Sequence, residues 1–500
     1  MGKKVDIIGG GIAGLSAGCY LQMNGYETTV YEMHNLPGGV CTAWGRGGYT
    51  FDGCIHWLIG SSPSDDLYFL WNEIMDMKNI EFFNPDVYAR AESSSPDRYI
   101  DFFTNIDLME NELLKKAPED EKPIKEMTDA VRKFINLKLP IFKTREVMGP
   151  LDGIKLILKL FPYLGDMKKW GSVSGKEFSL KFKNPLLKNA IENLFIPDMS
   201  FLFMILNFAW MTKKSSGYPI GGSLHFSKRV EKRYKELGGI IKYNSKVSKI
   251  IHNKGKATGI LLESGEKTES EIVISAADGY NTIFNMLEGK FLNKKIANYF
   301  NKYKTFPSFV QVSFGIKKEF GNIPGQIWFP IKDGLRIDPE TELKHAEVRI
   351  FNFDKTVAPA GRTAVTITLP TYNYKYWVDL RDSDTKKYRD EKKRIVEKSM
   401  EILEDRFGDI SSNVEIADIS TPSTFIRYTG NWKGSFEGWI LTPDIVMKQM
   451  SKTLPGLDNF YMAGQWVEPG GGVPAVLMSG RNVTQIICKR DNKDFKTESF

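Results

Sequence analysis

Three glycines near the start of the chain, Gly9, Gly11 and Gly14, stand in GxGxxG spacing, and a carboxylate, Glu32, follows about 20 residues later. The loop leaves a short apolar run, Val5 to Ile8, and enters a stretch, Leu15 to Asn24, that reads as a helix closed by Gly25; Thr28 to Tyr31 then read as a second strand. Each glycine has a task in such a turn. Gly9 permits the tight exit from the strand, Gly11 lets the backbone approach a pyrophosphate, and Gly14 lets helix and strand pack closely. Ile12 and Ala13 of the same loop are candidate cofactor contacts with the glycines, and the free N–H groups and positive dipole end of the helix that follows favour a phosphate by about 0.3–1 kcal/mol, and by about 2 when partly buried. Glu32 stands where an acceptor can take both ribose hydroxyls. Strand, helix, strand and acid together predict a dinucleotide site; the alternative is a glycine-rich turn with an incidental Glu32.

A second set of chemistry-bearing turns flanks this one. Pro37-Gly38-Gly39, followed by Val40, makes a turn that can press against a second phosphate or the ribityl chain. Gly47-Gly48 reads as a hairpin turn before a short strand, Tyr49 to Asp52. Far down the chain, Phe460 to Ala463 reads as a strand running into Gly464, Pro469 to Gly472 as a turn, and Val473 to Ile487 as a helix. A glycine run before a helix start again makes a site for an anion or a polar edge.

These residues carry a resemblance. The GGGIAGL loop, Glu32, Pro37-Gly38-Gly39 and Phe51-Asp52 resemble the phytoene desaturase and retinol saturase group of FAD-dependent oxidoreductases, with Ile55-His56 to Gly60 closest to the retinol saturase branch. Val40 departs from the Arg form that family often has, and Cys54 takes a place where it usually has Gly. The resemblance implies FAD as cofactor. It implies that Val247 meets the adenine through its backbone, and that N–H groups near Gly472 and Val473 face the pyrimidine edge of the flavin. Two acid–base candidates follow from it. His56 either faces the flavin edge and handles a proton or is hydrogen-bonded in a loop beneath the cofactor. Glu468 is either an acid or base beside the ring or a surface carboxylate.

The remaining elements must position these groups. Leu224 to Leu237 reads as a helix, and Ile240 to Asn244, Val247 to Asn253, Ala257 to Leu262 and Glu271 to Ser275 as short strands that complete the cofactor half. From about Ser61 to Gly217 helix-like, aromatic and Met-rich segments dominate. Within them Leu151, Ile154, Ile157, Leu158 and Phe161 fall at helical spacing with Lys155 and Lys159 on the flank, and Pro162 ends the helix. Such a basic amphipathic stretch either lies on a membrane or is a core-facing helix with a solvated lysine edge. Phe201 to Met211 reads as the wall of an apolar cavity or core. Between Glu288 and Tyr428, Ser308 to Ile316, Gln326 to Ile331, His345 to Phe353 and Ala364 to Pro370 read as a mostly antiparallel sheet, with a charged helix over Ser383 to Phe407. No carboxylate pair, Ser–His–Asp set or metal cluster stands out, which leaves the hard chemistry to the cofactor.

Composition bounds the rest. A chain of 500 residues, 42% hydrophobic and 26% charged, buries a large core and divides into more than one domain. Phe201 to Trp210 is the longest apolar run and about half of what a membrane-spanning helix needs. The glycine loop interrupts any signal-peptide core. Cys19, Cys41, Cys54 and Cys488 form no disulfide framework; Cys41 and Cys54, near the predicted cofactor, are a redox pair or small packing residues of a reducing cytoplasm. The net charge of +7 is spread along the chain and no basic-aromatic module predicts nucleic acid binding; an anionic membrane surface is the better candidate partner.

The expectation is an α/β, two-domain, FAD-binding Rossmann-type flavoprotein with an interleaved α+β substrate domain. Residues 1–75, 217–288 and 430–500 form the cofactor domain, and 76–216 with 289–429 the substrate domain. Its expected activity is desaturation or saturation of C–C bonds in a long apolar substrate (carotenoid, retinoid or lipid-like), with hydride transfer at flavin N5. Burial at about 0.8 kcal/mol per CH2 would bind such a chain without many polar contacts. Alternatives are a redox-neutral cis-trans isomerase, an amine-oxidase-like flavoenzyme, and a flavoprotein without enzymatic activity. The electron donor or acceptor is open, no metal is expected, and the expected place is the cytoplasm, peripheral on the inner face of the membrane.

Overall fold

Five apolar runs pair in parallel into one sheet: β1 (Lys4–Ile8), β2 (Glu27–Tyr31), β3 (Ile240–Lys242), β4 (Ile272–Ser275) and β5 (Phe460–Met462), in the order β3-β2-β1-β4-β5. The computed structural model that shows this describes residues 2–446, 448, 450–470 and 472–500. The central strand β1 is buried from Val5 onward, as a parallel strand covered on both faces must be, and Ile7 lies in register between Val30 and Ile274. Helices α1 (Ile12–Met23), α2 (Gly222–Glu236) and α3 (Gly472–Arg490) cover it. α1 is apolar nearly all round, with every residue from Ile12 to Leu21 buried, because α2 and α3 both lean on it.

Of the four strands expected after α2, the first and last join this sheet. The middle two, Val247–Asn253 and Lys256–Leu262, form a separate antiparallel ribbon. Its turn explains why: Lys254 and Gly255 both have positive φ, +46° and +75°, the geometry that folds a strand back on itself.

A second sheet has seven strands, in the order Val414–Ser420, Ser308–Ile316, Thr363–Thr371, Thr341–Ile350, Gln326–Asp338, Val87–Glu92, Tyr99–Phe103. All pairs are antiparallel except Gln326–Asp338 with Val87–Glu92. Its last two strands come from the stretch that reads as helical in sequence, so the sheet is shared by two separated parts of the chain. Arg406, near the end of the helix Thr385–Phe407, locks them together: its Nη2 donates to Oε1 of the buried Glu92 at 2.7 Å. One face of the sheet packs on that helix through Val312, Ile350, Ile367, Ile395 and Leu403.

The helix Phe201–Thr212 sits in an apolar core with Trp170, Phe178 and Leu187, not on a surface. The helix Pro150–Leu160 is its opposite. None of its residues is buried, and Leu151, Ile154, Ile157, Leu158 and the following Phe161 are 55–74% exposed. It ends at Leu160, before Pro162, and a short 3-10 turn carries the chain on. A core-facing role for this helix is thereby removed.

Candidate functional site

A cavity of about 660 Å³ opens along the carboxyl ends of β1, β2 and β4 and the start of α1, within the size range of cofactor sites. Its first wall is the glycine loop. Gly9, at φ +98°, turns the chain out of β1, and its N–H donates to the Tyr31 carbonyl at 2.9 Å. A side chain at Gly14 would put its Cβ 2.0 Å from the Gly9 carbonyl oxygen, whereas a Cβ at Gly11 would meet nothing nearer than the Gly38 oxygen at 3.7 Å. Gly14 therefore serves the packing of helix on strand and stands behind the wall; Gly9, Gly11, Ile12 and Ala13 are on it. No side chain caps the start of α1 and no acid stands in its first turn. The positive end of this helix thus faces the cavity without a capping side chain, which fits a pyrophosphate.

The second wall is Gly38, Gly39 and Val40. The Gly38 N–H donates to the Gly10 carbonyl at 2.9 Å, so the two glycine turns abut backbone to backbone. Glu32, 5% exposed at the end of β2, accepts the Gly10 N–H at 2.6 Å on Oε2 and the His34 N–H at 2.7 Å on Oε1. Burial raises its pKa, and those N–H donors oppose the rise. Two of a carboxylate's roughly four acceptor directions remain, enough for a pair of ribose hydroxyls. Val247, at the head of the antiparallel ribbon, lines the same cavity. So do Gly464 after β5 and Gly472 with Val473 at the start of α3. The turn Pro469 to Gly472 is described except for Gly471, which lies outside the described residues. Loops, helix end and carboxylate together fit FAD, which supplies hydride chemistry at N5 when bound.

The two acid–base candidates lie elsewhere. His56 lines a second cavity of about 40 Å³ with Trp57, Tyr88, Tyr218 and Arg349. Burial, with the Arg349 charge, pushes its ring well below the ordinary histidine value, so the imidazole is neutral at physiological pH. Its carbonyl accepts the Arg349 guanidinium at 3.1 Å. Glu468 turns away from the cofactor cavity to an ion pair with Lys452 at 2.8 Å, a lysine 2% exposed, and accepts the Asn482 amide at 3.1 Å. Neither His56 nor Glu468 is on the wall of the cofactor cavity.

Cys41 and Cys54, which the sequence sets near the cofactor, flank the hairpin Ala43–Arg46 and Tyr49–Asp52 and both line the cofactor cavity. Other lining residues were passed over in the sequence. The segment 423–437 supplies a further side that includes Tyr428, Phe436 and Glu437. Its signal is the run Gly430, Gly434 and Gly438, all at positive φ, in a stretch otherwise rich in aromatic and charged residues. Asp278, after β4, also faces the cavity, and its carboxylate accepts the Trp432 N–H at 2.8 Å. No cluster of metal-ligating side chains occurs among the described residues.

Comparison with known proteins agrees with this geometry. Residues 7–74 match the family model of an NAD(P)-binding Rossmann-like domain. The chain is similar to prolycopene isomerase of Daucus carota, 24% identical over 506 residues, with 95% of this chain and 78% of that protein covered. It is also similar to the 4,4'-diapophytoene desaturase of Methylomonas sp, 22% identical over 507 residues, with 99% and 97% covered. Among solved structures, cyclohexylamine oxidase from Brevibacterium oxydans shares the fold at a TM-score of 0.61 and 12% identity, over 99% of this chain and 100% of that one.

Proposed function

On the premise that this chain is an FAD-dependent oxidoreductase of the carotenoid desaturase and isomerase kind, we propose that it rearranges or redox-modifies C–C double bonds in a long apolar polyene. The observation that carries the reading is the junction in one cavity of two glycine turns, the uncapped start of α1 and Glu32 with an apolar wall of Val473, Phe436 and Trp466. Gly9, Gly11, Ile12, Ala13, Gly38, Gly39 and Val40 would hold the phosphates and the ribityl chain. Glu32 would hold a ribose, Val247 the adenine, and Gly464, Gly472 and Val473 the flavin end. In this reading segments 1–75, 217–288 and 430–500 bind the cofactor, and 76–216 with 289–429 receive the substrate.

The test uses the flavin-loaded protein with two probes in phospholipid vesicles, prolycopene and 4,4'-diapophytoene. Desaturation or saturation changes product mass by two hydrogens per step, whereas isomerisation changes the absorption spectrum and leaves mass unchanged. Flavin-loaded protein that alters neither probe, oxidised with a quinone present or reduced by dithionite, would overturn the polyene assignment and favour an amine-oxidase-like substrate.

The exposed stripe Leu151, Ile154, Ile157, Leu158 and Phe161, flanked by Lys155 and Lys159, supports delivery of such a substrate from an anionic bilayer. No helix among the described residues is long and apolar enough to cross a membrane, so this reading has the protein lie on the surface.

A further inference from the structure

Glu437 is a carboxyl in the wall of the cofactor cavity that no cation among the described residues holds. It lies between Phe436 and Gly438, and shares the wall with Cys41, Cys54, Trp466 and Val473. Its carboxyl accepts the backbone N–H of Gly472 at the head of α3, with no charged partner among the described residues. Of the titratable groups on this wall the Cys54 thiol interacts with it, while Arg427, Tyr428 and Asp278, a carboxyl that burial also raises to about 7 against three backbone N–H donors, line the same cavity. Cys54 is pushed well above the ordinary thiol value by its hydrogen bond with Cys41 and by burial, and Glu437 contributes to the same rise. The aromatic side is apolar: Trp466 and Trp439 stack edge to face at 4.9 Å. Burial raises the Glu437 pKa to about 7, and the Gly472 N–H opposes the rise. Elsewhere in the molecule, buried carboxylates are engaged by cations or by several donors. Glu92 meets Arg406, Glu73 meets Arg481, and Asp52 takes the N–H groups of Cys54 and Ser223 and the Ser223 hydroxyl. Glu437 differs from them in facing the site with one neutral donor.

We propose that Glu437 is the proton-exchanging residue of this site, giving a proton to, or taking one from, a carbon of the bound polyene. The identity of the substrate rests on the reading above; the role of the carboxyl rests on its place in the cavity. In a desaturation, one C–H bond breaks and its hydrogen would leave with both bonding electrons as hydride, for which bound FAD would be the oxidant. The adjacent C–H bond breaks the other way: its proton passes to a Glu437 oxygen, and its electron pair becomes the new π bond. Saturation runs this in reverse, the Glu437 O–H supplying the proton. In a redox-neutral isomerisation the O–H bond breaks as a C–H bond forms on the polyene, rotation follows about the bond so weakened, and the same proton returns to the carboxylate. Atoms and electrons balance in each case, and a group that exchanges its proton near neutral pH suits all three.

The experiment is Glu437→Gln in the flavin-loaded enzyme, with prolycopene and 4,4'-diapophytoene as probes and Glu437→Asp as the conservative control. Glutamine keeps an acceptor for Gly472 N–H and removes the proton. The expected result is retained flavin with turnover lowered about 10²–10⁴-fold, the usual range for a lost general acid or base, and partial recovery in the Asp variant. Direction reads out in the wild-type pH profile. A rate that falls through about pH 7 means the acid form acts (saturation or isomerisation), and a rate that rises there means the carboxylate acts (desaturation). The independent readout is infrared difference spectroscopy of the flavin-loaded protein: a protonated-carboxyl band titrating near neutral pH that Glu437→Gln loses and Asp278→Asn, the other cavity carboxyl raised to about 7, keeps. Turnover of the variant within about threefold of wild type, with the same pH profile, would overturn the proposal, and so would absence of that band. Should wild type alter neither probe, the substrate reading fails separately; the band still decides on the acid.

Discussion

Two neighbouring glycines of the first turn should behave in opposite ways when each is given a single methyl group. At Gly14 the added Cβ would lie 2.0 Å from the Gly9 carbonyl oxygen and 3.3 Å from the Ala276 Cβ. Helix and strand would have to part, at a cost of about 1–3 kcal/mol, the range for overpacking a tight interior. At Gly11 the nearest atom is 3.7 Å away, and φ is an ordinary −69°. Gly11→Ala should therefore leave the flavin-free protein as stable as wild type, or up to about 1 kcal/mol more so through reduced freedom of the unfolded chain. Its methyl projects into the cavity, where the pyrophosphate must meet the backbone. Losing one charge-assisted hydrogen bond there costs about 1.5–3 kcal/mol. That corresponds to roughly 10–150-fold weaker FAD binding. The assay pairs thermal unfolding of both apoproteins with FAD titration followed by flavin fluorescence. Gly14→Ala should lower the melting temperature, and Gly11→Ala should lower affinity alone. A Gly11→Ala protein that binds FAD like wild type would refute the placement of the phosphate, and one that melts like Gly14→Ala would refute the geometry of the turn.

Four further outcomes are expected. Glu32→Ala should weaken FAD retention by about 1.5–3 kcal/mol, and a variant that keeps full yellow colour on dilution would count against the ribose assignment. Changing Lys155 and Lys159 to Glu together should reduce co-sedimentation with phosphatidylglycerol vesicles, each lysine contributing roughly 1 kcal/mol near an anionic surface; unchanged binding would remove the bilayer from the proposal. Arg406→Met strands the buried Glu92 without its partner and should cost about 3–5 kcal/mol in urea unfolding, most of it recovered when Glu92→Leu is added. Glu437 titrates at about 7 in the fold, above its ordinary 4.5, so the unfolded chain binds fewer protons between those values and the flavin-free protein loses stability from this group as pH rises through that window. Glu437→Gln should flatten that decline between pH 5 and 8; identical melting profiles would show that the carboxyl is not buried as described.

The parallel sheet and both glycine turns were readable because short apolar runs bounded by glycine have few other uses. The strands Val87–Glu92 and Tyr99–Phe103 were not, for a physical reason. Arg90 and Asp101 neutralise each other across the pair at 2.7 Å, and Glu92 is neutralised by Arg406, so buried positions carry charged residues and the apolar alternation is broken. The site followed the same division. The glycine turns that line the cavity were legible because glycine spacing encodes them. Side-chain acids were not: His56 follows Cys54 closely in sequence, yet the two line different cavities, with Ile55 between them anchored by its N–H to the Ser223 hydroxyl at 2.8 Å. Glu437 is invisible in sequence because its surroundings come from β5, α3 and the hairpin near Cys54, far apart along the chain.

The contact between the first helix and the last has a consequence for how the protein is made. Gly480 of α3 sits so close to α1 that a Cβ there would lie 2.6 Å from the Ala17 nitrogen, and Ser16 Oγ donates to the Leu477 carbonyl at 2.8 Å. The first turn is synthesised long before its covering helix, which starts at Gly472, about 460 residues after Ile12. At about 5–20 residues per second, that is a delay of roughly 25–100 s. Through this interval an almost wholly apolar α1 lacks its lid, so yield in a cell should depend more on chaperone capacity and growth temperature than the folded stability would suggest.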